Sequence, residues 1–375
     1  MAFLHRTWAE IDSSALVHNF KTIKNSVGDC RLMAVVKADA YGHGTDIVLP
    51  ALLTAGADCF AVSNIDEAME LRSMGIDCPV LILGYTPPEA AQTLAKHNIT
   101  QTVYDKVFAQ KLSYYAEKTG TTVSVHIKLD TGMGRIGFDC RSDAFNGLAD
   151  VLEILSLPCL CFEGVFTHFA AADRSDDIKG DYTNEQYRRF TDASNIIKEK
   201  CSTIKTVHCC NSAGLLLEKD KHSTLCRPGI ILYGLSPDKD MQFSEELIPV
   251  MTLKSVVSMV KEVEKDTCIS YGRTFKSDKK MKLATVSVGY ADGYPRLLSN
   301  KGQVIINGLR ANIVGRVCMD QMVVDVSHIE NVDIGDEVIL FGKDLPVDEI
   351  AHLCGTINYE IICGVSKRVP RIKVN

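Results

Sequence analysis

The residues with the clearest chemical potential lie near the N-terminus, in the run Leu32-Met-Ala-Val-Val-Lys37-Ala-Asp-Ala-Tyr41-Gly-His-Gly44. The continuous apolar stretch predicts a buried strand, which delivers a lysine directly into a glycine-rich turn. At the mouth of a buried strand, the low dielectric depresses the pKa of an amine and makes the amine a nucleophile. The alternative is a surface lysine at a strand end, and spacing alone leaves both interpretations open.

Alternating elements must position this lysine. Up to about residue 235, apolar or β-branched runs alternate with helical stretches. The runs predict eight strands, at residues 32–36, 59–62, 80–84, 102–104, 123–129, 164–169, 206–210 and 230–234. Eight strands separated by helices favour an α/β fold, an N-terminal (β/α)8 TIM-like barrel, over an open doubly wound sheet.

The composition changes after Gly234. Residues 236–242 predict a linker, and the turn-punctuated segment beyond it predicts a mostly β domain that ends in a short helix near residues 347–354. The predicted strands of this domain cover residues 251–263, 282–288, 304–306, 311–317, 322–326 and 337–341. We therefore expect a barrel over residues 1–236 and a mostly β domain over residues 237–375.

Polar residues cluster where the predicted barrel strands end. A TIM barrel builds its active site at the carboxyl ends of its strands. The residues are Lys37 after the first strand, Arg135 after the fifth, His168 at the end of the sixth, Ser212 after the seventh, and Arg227-Pro-Gly229-Ile230, which enters the eighth. We expect these side chains to converge on one site.

A lysine nucleophile without a metal-ligand set suggests Schiff-base chemistry, either with a substrate carbonyl or with pyridoxal phosphate. The cofactor also needs a phosphate cradle. Backbone N–H groups at Gly229 and Ile230 and the hydroxyl of Ser212 could supply it. The alternative for Gly229 is a plain turn glycine.

Bulk composition excludes several classes of partner. A formal net charge of −6 argues against a nucleic-acid-binding or anionic-membrane surface. No apolar run approaches the roughly 20 residues that span a bilayer. The 14 cysteines include no Cys-x-x-Cys spacing, and the N-terminus resembles no signal peptide. These features predict a cytoplasmic protein without a metal site.

Several motifs together resemble one known family. They are Ala34-Val-Val-Lys-Ala-Asp-Ala-Tyr-Gly-His-Gly, Lys128-Leu-Asp-Thr-Gly-Met-Gly-Arg-Ile-Gly, Phe166-Thr-His-Phe, Asn211-Ser-Ala-Gly, Arg227-Pro-Gly-Ile-Ile-Leu-Tyr-Gly, Ser270-Tyr-Gly-Arg-Thr-Phe, Val288-Gly-Tyr-Ala-Asp-Gly-Tyr-Pro-Arg, Gly315-Arg-Val-Cys-Met-Asp-Gln and Asn358-Tyr-Glu-Ile. In this order they resemble the alanine racemases over essentially the whole chain.

The resemblance implies a pyridoxal phosphate-dependent isomerase that interconverts L-alanine and D-alanine and provides D-alanine for peptidoglycan. It also implies a homodimer with shared active sites. Racemisation needs two bases on opposite faces of the substrate. The resemblance assigns these roles to Lys37, which also holds the cofactor, and to Tyr271 from the partner subunit.

The remaining implied roles concern binding. The resemblance places five residues at the phosphate: Tyr41, Ser212, Gly229, Ile230 and Tyr359. It places His168 against the cofactor ring, Arg227 at the ring nitrogen, and Arg135 at the phenolic oxygen and the substrate carboxylate. The backbone N–H of Met319, from the partner subunit, would bind the same carboxylate. Lys128 matches a lysine that is carbamylated in several family members, where it orients the arginine. The alternative is an unmodified lysine paired with Asp130.

Two other functions fit parts of the sequence. One is a racemase of another amino acid such as serine, because an apolar pocket rejects one added hydroxyl poorly. The other is a non-catalytic pyridoxal phosphate-binding homeostasis protein on the same barrel. Such proteins have a single domain, whereas Tyr271 and Met319 lie in the predicted second domain.

Overall fold

Strands and helices alternate through the first half of the chain, and strands dominate the last third. The computed structural model describes residues 6–173, 181–217, 221, 224–238, 241 and 246–375. The strands among them are β1 (Thr7–Asp12), β2 (Arg31–Leu32), β3 (Ala34–Val35), β4 (Phe60–Val62), β5 (Val80–Ile82), β6 (Ile99–Val103), β7 (Val123–Asp130), β8 (Phe138–Asp139), β9 (Leu160–Phe166), β10 (Thr206–His208), β11 (Leu225–Cys226), β12 (Met251–Val263), β13 (Cys268–Ile269), β14 (Phe275–Lys276), β15 (Met281–Val286), β16 (Gln303–Ile306), β17 (Leu309–Ile313), β18 (Met322–Asp325), β19 (Glu337–Phe341) and β20 (Arg371–Val374). The predicted linker at residues 236–242 lies partly outside the described residues.

Helices flank these strands. They are α1 (Ser13–Ser26), α2 (Lys37–Tyr41), α3 (Thr45–Ala55), α4 (Ile65–Ser73), α5 (Ala91–Lys96), α6 (Lys106–Thr119), α7 (Leu148–Ile154), α8 (Asp181–Lys200), α9 (Ser212–Leu217), α10 (Val347–Cys354) and α11 (Asn358–Cys363). Local signals set several of their ends: the carboxylate of Asp105 accepts from a first-turn N–H of α6, and Gly120 ends this helix in a left-handed conformation. Among the described helices, none combines the length and apolar composition needed to cross a membrane.

Strands β2–β7 and β9–β11 form a closed parallel barrel. Seven of them pair in the order β10-β9-β7-β6-β5-β4-β3, and β11 pairs with β2 in the same parallel sense. Backbone hydrogen bonds close the ring on both sides of β11: Met33 N–H donates to Cys226 over 2.8 Å, and Arg227 N–H donates to Cys210 over 3.0 Å. The predicted (β/α)8 barrel is confirmed.

The C-terminal strands form the predicted β domain. Its sheet runs β15-β18-β17-β16-β19-β12-β1-β20, and β12 also pairs with β15, so the sheet curls back on itself. The turn between β16 and β17 is Asn307-Gly308, and both residues have positive φ (50° and 77°), as a tight hairpin turn requires. The N-terminal strand β1 belongs to this sheet, where it lies between β12 and β20.

One predicted strand was wrong. The apolar run after Gly229 forms a 3-10 helix at Ile230–Tyr233, and the eighth barrel strand is β11. The run is apolar because it is fully buried, and burial alone does not distinguish a strand from a short helix. Arg227 therefore follows the eighth strand and reaches the barrel mouth in the same way as the other strand-end residues.

Candidate active site

A cavity of about 520 Å³ opens at the carboxyl ends of the barrel strands. Nine of the twelve residues that the sequence pointed to line it: Lys37, Tyr41, Lys128, Arg135, His168, Ser212, Arg227, Gly229 and Tyr359. Ile230 is fully buried beside Gly229 and does not line the cavity. The remaining two residues, Tyr271 and Met319, lie elsewhere.

Lys37 sits where β3 gives way to α2, at the start of an unusual turn. Ala38, Asp39, Ala40 and Tyr41 all have φ of 53–54°, which is the left-handed region. For an L-residue this conformation costs roughly 1–2 kcal/mol, and it is normally adopted by single residues rather than by runs. Glu67 supports the turn, because its carboxylate accepts from Ala38 N–H over 2.8 Å and from Ser63 N–H over 2.7 Å.

The environment of Lys37 favours the neutral amine. Burial is the largest cause that lowers the pKa of this lysine, and the positive charge of Arg135 lowers it further. Glu67 acts in the opposite direction but does not reverse the shift. An amine of this kind can act as a nucleophile and as a base.

An anion cradle lies beside the lysine. Ser212 Oγ accepts from Gly229 N–H over 2.9 Å and keeps its own O–H free to donate. A Cβ at Gly229 would lie 2.6 Å from Tyr41 Oη, so only glycine leaves room for this phenol. Burial raises the pKa of Tyr41 and of Tyr359, whose rings are 6.1 Å apart, so both phenols remain protonated donors.

Arg227 is the buried cation at the centre of the site. Its guanidinium donates to Nδ1 of His208 over 2.8 Å and to the carbonyls of Thr167 and Cys209 over 2.8 and 3.1 Å. One of its nitrogens also lies 3.5 Å from Nδ1 of His168. Burial, followed by the positive charge of Arg227, lowers the pKa of His168 well below its usual value, which keeps this imidazole neutral.

Lys128 is buried within β7, where charged lysines are rare. Burial is the largest cause that lowers its pKa, and Arg227 and Arg135 lower it further. Its Nζ donates to the carbonyl of Leu129 over 3.2 Å. The carboxylate of Asp130 accepts instead from the backbone N–H groups of Gly132 and Gly134, at 3.1 and 3.0 Å.

Tyr271 and Met319 lie outside the cavity of their own chain. They belong to the C-terminal part of the chain, and 73% and 53% of their respective surfaces are exposed. Tyr271 begins a 3-10 turn between β13 and β14, and Ser270 before it has a φ of 62°. The structure therefore does not bring Tyr271 and Met319 together with Lys37 within one chain.

Three supporting residues were missed from the sequence: Glu67, His208 and His126. His208 Nε2 lies 2.9 Å from Nδ1 of His126, and both rings are buried. Gly164 makes room for His126, because a Cβ there would lie 2.6 Å from its Nε2. The available signal was strand alternation, since His126 and Lys128 are two residues apart and share one face of β7.

These residues fit the cofactor that the sequence motifs implied. A nucleophilic lysine and a cradle of hydroxyl donors, which a Cβ at Gly229 would fill, match an aldehyde that carries a phosphate group. The buried arginine and the neutral histidine supply polar contacts for an aromatic ring. The geometry thus supports covalent capture of a carbonyl compound next to an anion site.

Comparison with known proteins gives consistent matches. A family model described as alanine racemase, N-terminal domain, matches residues 11–237, and one described as alanine racemase, C-terminal domain, matches residues 250–373. The chain is 47% identical over 370 residues to an alanine racemase of Clostridium perfringens, which covers 97% of this chain and 94% of that protein.

Solved structures agree with these matches. The alanine racemase of Clostridium difficile 630 in complex with cycloserine superimposes with a TM-score of 0.89 at 37% identity, covering 99% of this chain and 96% of that one. The alanine racemase of Bacillus anthracis with bound L-Ala-P gives a TM-score of 0.90 at 36% identity, covering 100% and 96%.

Proposed function

Because this chain belongs to the alanine racemase family and interconverts L- and D-alanine, we propose that it does so with pyridoxal phosphate and with two bases, Lys37 and Tyr271. The observation that carries the proposal is the shared cavity of Lys37 and the anion cradle. Burial lowers the pKa of the lysine, and the Gly229 backbone leaves space for the phenol of Tyr41. This is the pair of features that a phosphate-bearing aldehyde requires.

Different residues of the chain would bind different parts of the cofactor. Tyr41, Ser212, Gly229, Ile230 and Tyr359 would hold the phosphate, His168 would contact the ring, and Arg227 would donate to the ring nitrogen. When bound, pyridoxal phosphate supplies an electron sink that acidifies the Cα–H of an attached amino acid. Arg227 does not readily give up its proton, so it would leave that ring nitrogen unprotonated.

Two bases on opposite faces explain a racemase better than one. Lys37 Nζ accepts or returns the α-proton on one face, and its lowered pKa makes the neutral, proton-accepting amine more accessible. Tyr271 of the partner subunit serves the other face in a homodimer with shared sites. The 73% exposure of Tyr271, outside its own chain's cavity, supports a role across a subunit interface. Met319 of the partner subunit would donate its backbone N–H to the substrate carboxylate.

Arg135 would bind the same carboxylate, as guanidinium groups do well. Lys128 would orient it as a carbamate, because the buried neutral amine can add CO₂ and release one proton, which leaves an anion. The unmodified alternative, a Lys128–Asp130 pair, is less well supported, since Asp130 accepts from the Gly132 and Gly134 amides.

The comparisons favour neither alternative function. The relative from Clostridium perfringens is an alanine racemase, which argues against a serine racemase, and the match to both domain models argues against a single-domain homeostasis protein. We further propose a cytoplasmic enzyme that supplies D-alanine for peptidoglycan. Among the described residues, none of the 14 cysteines forms a disulfide, as in a reducing compartment.

Absorbance spectroscopy tests the central proposal. We expect a visible band from lysine-bound cofactor, absent in Lys37→Ala and retained in Lys118→Ala, which changes an exposed lysine of α6. Racemisation of L-alanine, followed by optical rotation, should be lost in Lys37→Ala. A wild-type protein without this band after addition of pyridoxal phosphate would contradict the cofactor assignment.

A further inference from the structure

The left-handed turn at Ala38–Tyr41 carries both Lys37 and Tyr41 into the active site, and it must be held there by its surroundings. Four consecutive residues with a Cβ adopt positive φ in it. Such backbone persists only where neighbouring groups over-determine it. The Gly42-His43-Gly44 run that follows Tyr41 contains one titratable side chain, His43, to which the proposed function gives no task.

His43 binds the end of this turn directly. Its Nδ1 lies 3.1 Å from the carbonyl oxygen of Ala40 and 3.0 Å from that of Tyr41. Carbonyl oxygens only accept, so Nδ1 carries the proton and donates to both. The ring is fully buried, and burial lowers the pKa of His43 to about 4, so this neutral tautomer is the form present at neutral pH.

The same ring also fixes the side chain of Tyr41. His43 stacks on Tyr233 with ring centroids 4.4 Å apart, and Tyr233 packs on Tyr41 at 5.0 Å. Tyr233 is itself held, because its Oη donates to the carbonyl of Val35 over 3.2 Å. His43 thus donates one hydrogen bond to the carbonyl of Tyr41, and one intervening ring, that of Tyr233, separates it from the Tyr41 phenol.

We propose that His43 is a positioning residue of the active site: its Nδ1–H locks the left-handed turn that sets Tyr41 at the anion cradle and Lys37 at the barrel mouth. The inference rests on the proposed roles of Lys37 and Tyr41. It adds a residue that touches neither substrate nor cofactor and that controls how firmly the phosphate is held.

Two amide variants distinguish the hydrogen bonds of His43 Nδ1–H from the packing of its ring. In His43→Asn the side-chain N–H₂ falls near the position of Nδ1, whereas in His43→Gln it falls near Nε2. We expect His43→Gln to release pyridoxal phosphate from the holoenzyme about tenfold faster than wild type, because two buried carbonyls lose their donor. His43→Asn should stay within about threefold of wild type by the same reasoning. The readout is the decay of the visible band after dilution.

A second substitution tests the strain itself. Ala38 is exposed and has a φ of 54°, so Ala38→Gly relieves strain without creating a cavity. Added to His43→Gln, it should restore slow cofactor release. If His43→Gln alone does not fold, the Ala38→Gly/His43→Gln double variant is compared with the wild type instead. Equal cofactor loss in the Asn and Gln variants, or no rescue by Ala38→Gly, would overturn the inference. The proposed function fails separately, if the wild type itself lacks the band.

Discussion

Arg227 sets the tautomer of His208. Its Nη1 lies 2.8 Å from Nδ1 of this histidine, and both side chains are buried. A guanidinium only donates, so His208 accepts at Nδ1 and carries its proton on Nε2, which lies 2.9 Å from Nδ1 of His126. Burial and the charge of Arg227 lower the pKa of both imidazoles and keep them neutral. The arginine of the active site is thus anchored in the barrel core.

Removing this anchor should destabilise the protein measurably. We expect His208→Leu to lower the free energy of unfolding by about 2–3 kcal/mol, because a buried charged donor loses its acceptor. His208→Asn can keep an acceptor near the position of Nδ1 and should lose less than half as much. Urea unfolding of the two variants measures the difference. Equal losses would mean that packing, rather than the hydrogen bond, anchors Arg227.

Acid should weaken the fold within a defined window. His43 and His126 have a usual pKa of 6.5, and burial lowers the pKa of each to about 4 in the folded protein. The unfolded chain therefore binds more protons between these values, and stability falls as pH drops from about 6.5 to about 4. Each histidine contributes a slope of about 1.4 kcal/mol per pH unit within the window.

Urea unfolding at several pH values measures this slope. Replacing His126 with Gln removes one titrating group, so the variant should lose less stability than the wild type between pH 6.5 and pH 4. Its stability at pH 7 is the reference for this comparison. A slope unchanged from wild type would show that His126 does not titrate in the window.

The sequence predicted the parts of the fold that depend on pattern. Apolar runs of strand length gave seven of the eight barrel strands, and the Asn307-Gly308 pair gave the hairpin between β16 and β17. The eighth strand was misplaced because Ile230–Tyr233 is buried but lies outside the sheet. An apolar pattern predicts that a segment is buried. Only the folded chain shows which buried segment forms the backbone hydrogen bonds of the sheet.

The residues of the candidate site also fall into two groups, those that local sequence position predicts and those that depend on long-range contacts. Strand-end position was enough to place Lys37, Arg135, His168 and Ser212 around one cavity. His126 lies inside β7, and His208, the last residue of β10, lies inside the strand predicted over residues 206–210, so neither stood out as a strand-end residue. The left-handed turn after Lys37 could not be predicted either, because its residues are Ala, Asp, Ala and Tyr rather than glycine. Contacts with residues distant in the sequence hold the turn, and the local sequence does not indicate such contacts.

Arg227 should control which reaction the enzyme performs. In the proposed arrangement its guanidinium would face the ring nitrogen of the cofactor without readily giving up a proton to it, which would weaken the electron sink. Arg227→Glu would allow that nitrogen to be protonated, so we expect the ratio of transamination to racemisation to rise. Pyruvate formation from alanine, measured beside D-alanine formation, gives this ratio. Arg227→Lys keeps a cation as the control, and an unchanged ratio in Arg227→Glu would contradict the assignment.

Mixed dimers should reveal whether each active site takes Lys37 from one subunit and Tyr271 from the other. Lys37→Ala and Tyr271→Phe chains should each be inactive as homodimers, whereas a heterodimer of the two contains one intact site and one site that lacks both bases. Random reassociation of equal amounts should therefore restore about one quarter of wild-type racemisation, since half of the dimers are mixed and each has one working site.

The matched control mixes Lys37→Ala with the double variant Lys37→Ala/Tyr271→Phe, which offers no lysine to any site and should stay inactive. Recovery in the first mixture alone would locate the second base across the interface, in agreement with the 73% exposure of Tyr271 outside its own chain's cavity. Verified heterodimers that remain inactive, or a Tyr271→Phe homodimer that racemises alanine at the wild-type rate, would exclude Tyr271 as that base.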